Sequence, residues 1–249
     1  METHPPHLHH ASRKKFWDYF YEFLMLFLAV FCGFLVENLR EHRVETKREK
    51  QYMISMLEDL KLDTAEINRV ISLINHYFDP ILKKSTALLY LEHFSDSTIK
   101  EMYDTVPKST RFFTIAFQDN TVTQLKNSGN LRLIRNKEVT DSLTKYWNVC
   151  DYLINTPINN YEVTRLNSKE LIFSLFNLNY FENNSLTDPL RKNISLKLMS
   201  DDRLQFIKLG NNLSNLRTQL TVSIFQRLKS INQKATDLIT LIQREYHLE

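Results

Sequence analysis

Glycine is almost missing from this chain: only Gly33, Gly129 and Gly210 occur in 249 residues, against a usual share of about 7 %. Phosphate-cradling loops and dinucleotide fingerprints need clustered glycines so that backbone amides can approach a phosphate, and no such cluster exists here. A nucleophile elbow is excluded on the same ground. Cysteine is equally scarce. Cys32 lies inside an apolar run and Cys150 stands alone in the remainder, so no disulfide can form within the C-terminal domain. An excess of one charge is lacking too, because 32 Lys and Arg against 29 Asp and Glu leave a net charge of +3. The basic residues are spread among acids without interleaved aromatics, which gives nucleic-acid binding no support.

What is present is a run from Phe16 to Val36 in which only Asp18 and Glu22 are neither apolar nor glycine. Arg13, Lys14 and Lys15 stand in front of it. The uninterrupted part, Phe23 to Val36, has 14 residues, whereas about 20 are needed to cross roughly 30 Å of hydrocarbon. Phe16, Trp17, Tyr19, Phe20 and Tyr21 suit the headgroup layer and Leu39 extends the other end, so the sequence predicts a transmembrane helix over 16–39. A cleaved signal peptide is the rival reading. The run lacks a small-x-small exit and continues into a charged helix, which favours a retained anchor. Glu22 reads first as a headgroup-level carboxylate at the positive end of the helix dipole, and second as an intramembrane partner or proton site.

The flanking charges point both ways. Counting Arg40, Arg43, Lys47, Arg48 and Lys50 against three basic residues on the other side favours a cytoplasmic C-terminal domain. Those five alternate with Glu37, Glu41, Glu45 and Glu49, while Arg13 to Lys15 is an undiluted block. The resulting expectation is a bacterial inner-membrane protein with its N-terminus inside and its bundle in the periplasm.

The remaining 210 residues, 40–249, pattern as helix. Glutamates four apart with Arg40 and Arg48 three beyond Glu37 and Glu45 make a solvated, self-paired helix. Met53, Leu57, Leu60, Thr64, Ile67, Ile71, Ile74 and Phe78 then follow at steps of four and three, a seam for packing lengthwise on another helix. Asp79 and Pro80 are expected to stop or kink it. A second stripe, Leu213, Leu216, Leu220, Ile224, Leu228, Ile231, Ala235, Leu238 and Ile242, follows the cap Ser200-Asp201-Asp202. Long helices are thus predicted over about 40–78 and 202–249, paired antiparallel, so the fold class is all-α: an N-terminal transmembrane helix continuing into an elongated antiparallel helical bundle.

Between them, Phe112 to Phe117 reads as a short strand or a buried loop, and a helical hairpin spans 119–156. Its first helix is capped at Asp119 or Asn120 and ends at Gly129, which suits a left-handed cap. Leu131, Leu133 and Ile134 turn inward, and Asn136 caps the next helix through Val139, Leu143, Tyr146, Trp147, Cys150 and Leu153, with Pro157 as a kink.

Leu125-Lys126-Asn127-Ser128-Gly129-Asn130-Leu131-Arg132-Leu133-Ile134, followed by Lys137-Glu138-Val139 and Leu143-Thr144-Lys145-Tyr146, resembles the Leu-Lys-x-Ser-Gly-x-Leu-x-Leu-Ile signature of an uncharacterised family of single-pass membrane proteins common in Bacteroidota. Members also open with an apolar span introduced by Glu and closed by Asn and charged residues, similar to Glu22 and Asn38-Leu39-Arg40-Glu41 here. This chain differs in its Phe-rich span and in Leu39, where a tryptophan is typical. The resemblance covers about half of the chain and implies topology more than activity.

No catalytic or metal-binding constellation assembles. His42, His76, His93 and His247 match no Glu-x-x-His or His-Glu-x-x-His pattern. His4, His7, His9 and His10 sit in a proline-containing terminus, 1–15, that reads as disordered rather than metal-sensing. Glu58-Asp59 reads as helix surface and Asp201-Asp202 as a cap. Ser128 has no partnered base and reads as part of a C-cap turn. The expectation is a non-enzymatic, membrane-anchored scaffold or interaction protein without cofactor. Its partners are membrane lipid and a protein partner or second copy. The alternative is a ligand-sensing helical bundle.

Overall fold

The computed structural model describes residues 16–177 and 196–248, and these are mostly helical, with no strand among them beyond one isolated bridge between Phe176 and Leu198. The histidine-containing segment 1–15 lies outside the described residues. The chain divides into two compact units, Met1–Gln51 and Tyr52–Glu249.

In the first unit, helix α1 (Phe16–Leu73) begins. Its large apolar side chains up to Leu39, Leu24 apart, are exposed, from Leu35 at 41 % to Phe16 at 77 %. Phe23, Phe27 and Phe31, one turn apart, stack in a ladder with ring centroids 6.2 and 5.9 Å apart. Arg40 Nε donates to Glu37 Oε2 at 3.0 Å, the local pairing that i,i+3 spacing allows. This stretch is long and apolar enough to cross a membrane.

The second unit is built on three long helical runs. The first is the end of α1, continued by a widened turn at Ile74–Phe78 and by α2 (Asp79–Leu89). Helix α3 (Asp96–Thr105), capped by Ser95, and α4 (Asn120–Asn127) are short. The second run is α5 (Lys137–Leu153), a widened turn at Ile154–Ile158, and α6 (Asn159–Leu175). The third is α7 (Arg203–Thr218), a widened turn at Gln219–Ile224, and α8 (Phe225–Tyr246). The N-caps of α5 and α7 are Asn136, whose Oδ1 accepts from the Val139 amide, and Asp202, whose Oδ1 accepts from the Leu204 amide.

Cross-contacts fix the directions. Asp79 meets Arg217 at 2.6 Å and the Leu89 carbonyl meets Arg203, so the third run is antiparallel to the first. Asn136 meets Glu245 and the Tyr152 ring faces Arg227, so it is antiparallel to the second as well. All three share one buried apolar core, from Met53 and Leu60 through Leu143 and Ile172 to Leu213 and Ile242.

The widened turns follow from the spacing of that core. The buried positions step by four three times in succession in each run: 70, 74, 78, 82; then 153, 157, 161, 165; then 216, 220, 224, 228. Twelve residues exceed three α-turns, about 10.8 residues, by one. An i→i+5 turn takes up that extra residue and keeps the stripe on one face. The three turns sit at one level. Asp79 pairs with Arg217, Gln219 Nε2 donates to Thr164 Oγ1, and Phe78 and Tyr161 both pack on Phe113 at 5.4 Å.

Several sequence expectations need correction here. Pro80 does not stop the first helix: it falls within the opening residues of α2, where a missing amide costs little, and helix runs on to Leu89. Pro157 sits inside a widened turn, so the hairpin's second helix passes 156 and reaches Leu175. Of the two readings of Phe112 to Phe117, the strand is absent and the segment is a loop in which Phe113 is buried. Thr64 is only half-buried, and its neighbour Asp63 holds the core position instead.

Candidate functional site

An acid in that position must have its oxygens satisfied, since burying a carboxylate without partners is costly. Asp63 is 1 % exposed. Its Oδ1 accepts from the Gln118 amide at 2.7 Å and its Oδ2 from the Tyr146 hydroxyl at 2.7 Å. One turn earlier, Asp59 Oδ2 accepts from the Thr121 amide at 3.3 Å, so α4 is capped by α1 rather than by Asp119, whose side chain makes no cap bond. Glu58-Asp59 is therefore not simply helix surface: Asp59 is half-buried and holds a helix start.

These bonds belong to a strap, residues 111–119, that crosses the helices with no neighbouring strand to satisfy its backbone. Side chains do so instead. Arg69 Nη2 donates to the Thr114 carbonyl at 3.0 Å while the guanidinium is paired with Glu66. Arg165, buried and paired with Glu162, donates from Nη1 to the Thr110 carbonyl at 2.9 Å and lies 5.4 Å over the Phe112 ring.

Burial pushes the Asp63 carboxyl above the ordinary carboxylate range, against the pull of the Gln118 amide and the Tyr146 hydroxyl. Burial also pushes the Tyr146 phenol far up, with Cys150 and Asp63 adding to it. The Cys150 thiol is pushed up to about 12, chiefly by burial. A thiol held protonated in this way is not an activated nucleophile. Among the described residues no group of His, Cys, Asp and Glu is placed to hold a metal ion.

Tyr146 has a second role. It also lines a groove of about 400 Å³ between α5 and α8, together with Leu238 and Leu241. Lys145 stands on the α5 wall, Lys234 and Arg244 on the α8 wall. The two acids of the rim are engaged: Glu138 lies 3.8 Å from Arg244, and Asp237 accepts from Gln233 at 2.8 Å. Neither Lys145 nor Lys234 has an acidic partner among the described residues.

No protein-family model, curated protein or solved structure matches this chain.

The residues singled out from the sequence are divided between the units. Glu22 is exposed on α1 in the first. In the second, Leu125, Leu133 and Ile134 are buried and Leu131 is half-buried against the core. Ser128 donates to the Gln124 carbonyl at 2.6 Å, and Gly129 follows at φ +66°. Asn130 donates to the Tyr52 hydroxyl, tying this turn to α1. Of this set only Tyr146 reaches both the groove and the buried carboxylate. Sequence reasoning missed Asp59, Asp63, Arg69 and Arg165. The signal for Asp63 was present: it is three residues after Leu60 and four before Ile67, an acid on the seam.

Proposed function

We propose that this is a membrane-anchored helical interaction protein of the bacterial inner membrane, which holds its C-terminal bundle outside the cytoplasm for a protein partner. The observation that carries the reading is the exposed apolar surface from Phe16 to Leu39. Each large apolar side chain left in water forgoes about 1.5–3 kcal/mol. Sixteen such side chains in one helix call for a lipid cover. The N-terminus-inside orientation rests on Arg13 to Lys15. Kinship with the single-pass family carrying the Leu-Lys-x-Ser-Gly-x-Leu-x-Leu-Ile signature is part of the same proposal and rests on residues 125–134.

On the bundle, Val163, Leu166 and Phe173 form an exposed apolar stripe along α6 at helical spacing, which supports an interaction role. The alternative, ligand sensing, draws its support from the groove between α5 and α8.

The test is alkaline-carbonate extraction combined with labelling of Asn167→Cys, an exposed position on α6, by a membrane-impermeant maleimide in spheroplasts. Retention of the full chain in the membrane, release of a chain lacking residues 1–39, and labelling before lysis are expected. Extraction of the full chain would overturn the anchor, and labelling only after lysis would overturn the orientation. A photo-crosslinker at Val163 should give a discrete adduct with a partner or a second copy. No adduct there or at Phe173 would remove the interaction role from this face.

A further inference from the structure

We infer that the groove between α5 and α8 is a binding site for a small amphipathic carboxylate, with an apolar body against Tyr146, Leu238 and Leu241 and its negative end between Lys145 and Lys234. A cavity of about 400 Å³ falls within the size range of small-molecule sites, about 300–1,000 Å³. Its lining carries three cations, Lys145, Lys234 and Arg244, against two acids, Glu138 and Asp237. Glu138 lies 3.8 Å from Arg244, which is held more closely by Glu245 at 2.8 Å, and Asp237 accepts from the neutral Gln233. Lys145 and Lys234, on opposite walls, have no acidic partner among the described residues. An anion between them takes two charge-assisted hydrogen bonds.

The base of the groove is preorganised: Tyr146 is 2 % exposed and cannot swing outward without breaking its hydrogen bond to Asp63. The hydroxyl points into the core and is not offered to a ligand. The lysines take the negative end and the edges of Leu238 and Leu241 meet the apolar body, so an amphipathic anion gains from both. Because Asp63 also holds Gln118, an occupant that presses on Tyr146 acts on the strap through a single side chain. The site stands on the second unit alone and holds whether or not the apolar helix crosses a membrane.

The experiment uses the full chain in nanodiscs of zwitterionic lipid, with 4-(4-fluorophenyl)butanoate as the probe and its fluorine resonance as the readout. Empty nanodiscs supply the lipid baseline. Saturable broadening is expected with wild type, with binding of the corresponding amide at least about tenfold weaker, since it loses the charge-assisted bonds. The double variant Lys145→Glu, Lys234→Glu, both exposed positions, should abolish binding, and Lys145→Arg, Lys234→Arg should restore it. Ser142→Trp, which fills the α5 wall, should abolish binding without changing charge. Broadening equal to that of empty nanodiscs, equal binding of acid and amide, or binding unchanged in both the charge-reversed and the filled variants would overturn the site.

Discussion

The Tyr146 hydroxyl donates to Asp63 Oδ2 across 2.7 Å of buried interior, joining α5 to α1 through an acid on the seam. The same carboxylate takes the Gln118 amide, so a single side chain fixes two helices and the strap between them.

Removing it leaves two buried donors without an acceptor, each at about 1–3 kcal/mol. Asp63→Ala should therefore lower the melting temperature sharply, whereas Asp63→Asn keeps an acceptor for the amide and should melt no lower than wild type at pH 7. The pH dependence has a definite sign. Folding raises this carboxyl's pKa, so its contribution is full below the unfolded value, about 3.9, and is lost as pH rises through the folded one. Wild type should thus lose stability relative to Asp63→Asn between mildly acidic and neutral pH. Parallel melting curves for the two across that window would show that this carboxyl does not titrate as described.

Gly129 holds φ +66° at the end of α4, a conformation that costs other residues about 1–2 kcal/mol. A Cβ there would meet nothing within 4 Å. Gly129→Ala should therefore destabilise by about 1 kcal/mol through backbone strain alone, and Gly129→Val by more. Chemical denaturation that finds Ala as stable as Gly would contradict the left-handed cap.

Gly210 serves a different purpose. Its missing side chain makes room for the Tyr90 ring, whose Cε1 would lie 3.0 Å from an added Cβ, and the Tyr90 hydroxyl donates to Asn211 at 2.7 Å. Alanine in a helix is otherwise worth about 1 kcal/mol over glycine. Gly210→Ala should stabilise in a Tyr90→Ala background by about that amount and gain less, or lose, in wild type. A double-mutant cycle by thermal melting measures the difference, and additivity would dissociate the two residues.

Cys150 is 5 % exposed and its thiol is held protonated. At pH 7 maleimide should leave it unlabelled in the folded chain and modify it fully after denaturation. Rapid labelling of the native protein would mean that the layer around Tyr146 opens.

The long helices were legible because buried apolar residues recur on one face over dozens of positions, as from Leu213 to Ile242. The stop expected as one outcome at Pro80, and the hairpin end expected at 156, failed for a local reason: a proline signals a missing amide, and a widened turn or an opening helix residue can absorb one without ending the helix. The strap was illegible for another. Gln118 finds its partner Asp63 55 residues away, and Thr121, at the start of α4, finds Asp59 62 residues away; no periodicity links an amide in a loop or helix start to a carboxylate on a distant helix. The groove was hidden in the same way, because each wall by itself reads as the solvated face of an amphipathic helix.

Each widened turn confines one extra residue to a single level of its run. Losing that residue from any one of them would return the widened turn to an ordinary α-turn and leave Leu228, Ile231 and Leu238, or their counterparts, facing the interior. In descent, then, each run can shed or gain this residue on its own. Descendants that keep the fold should differ in which of the three runs carry the wider turn.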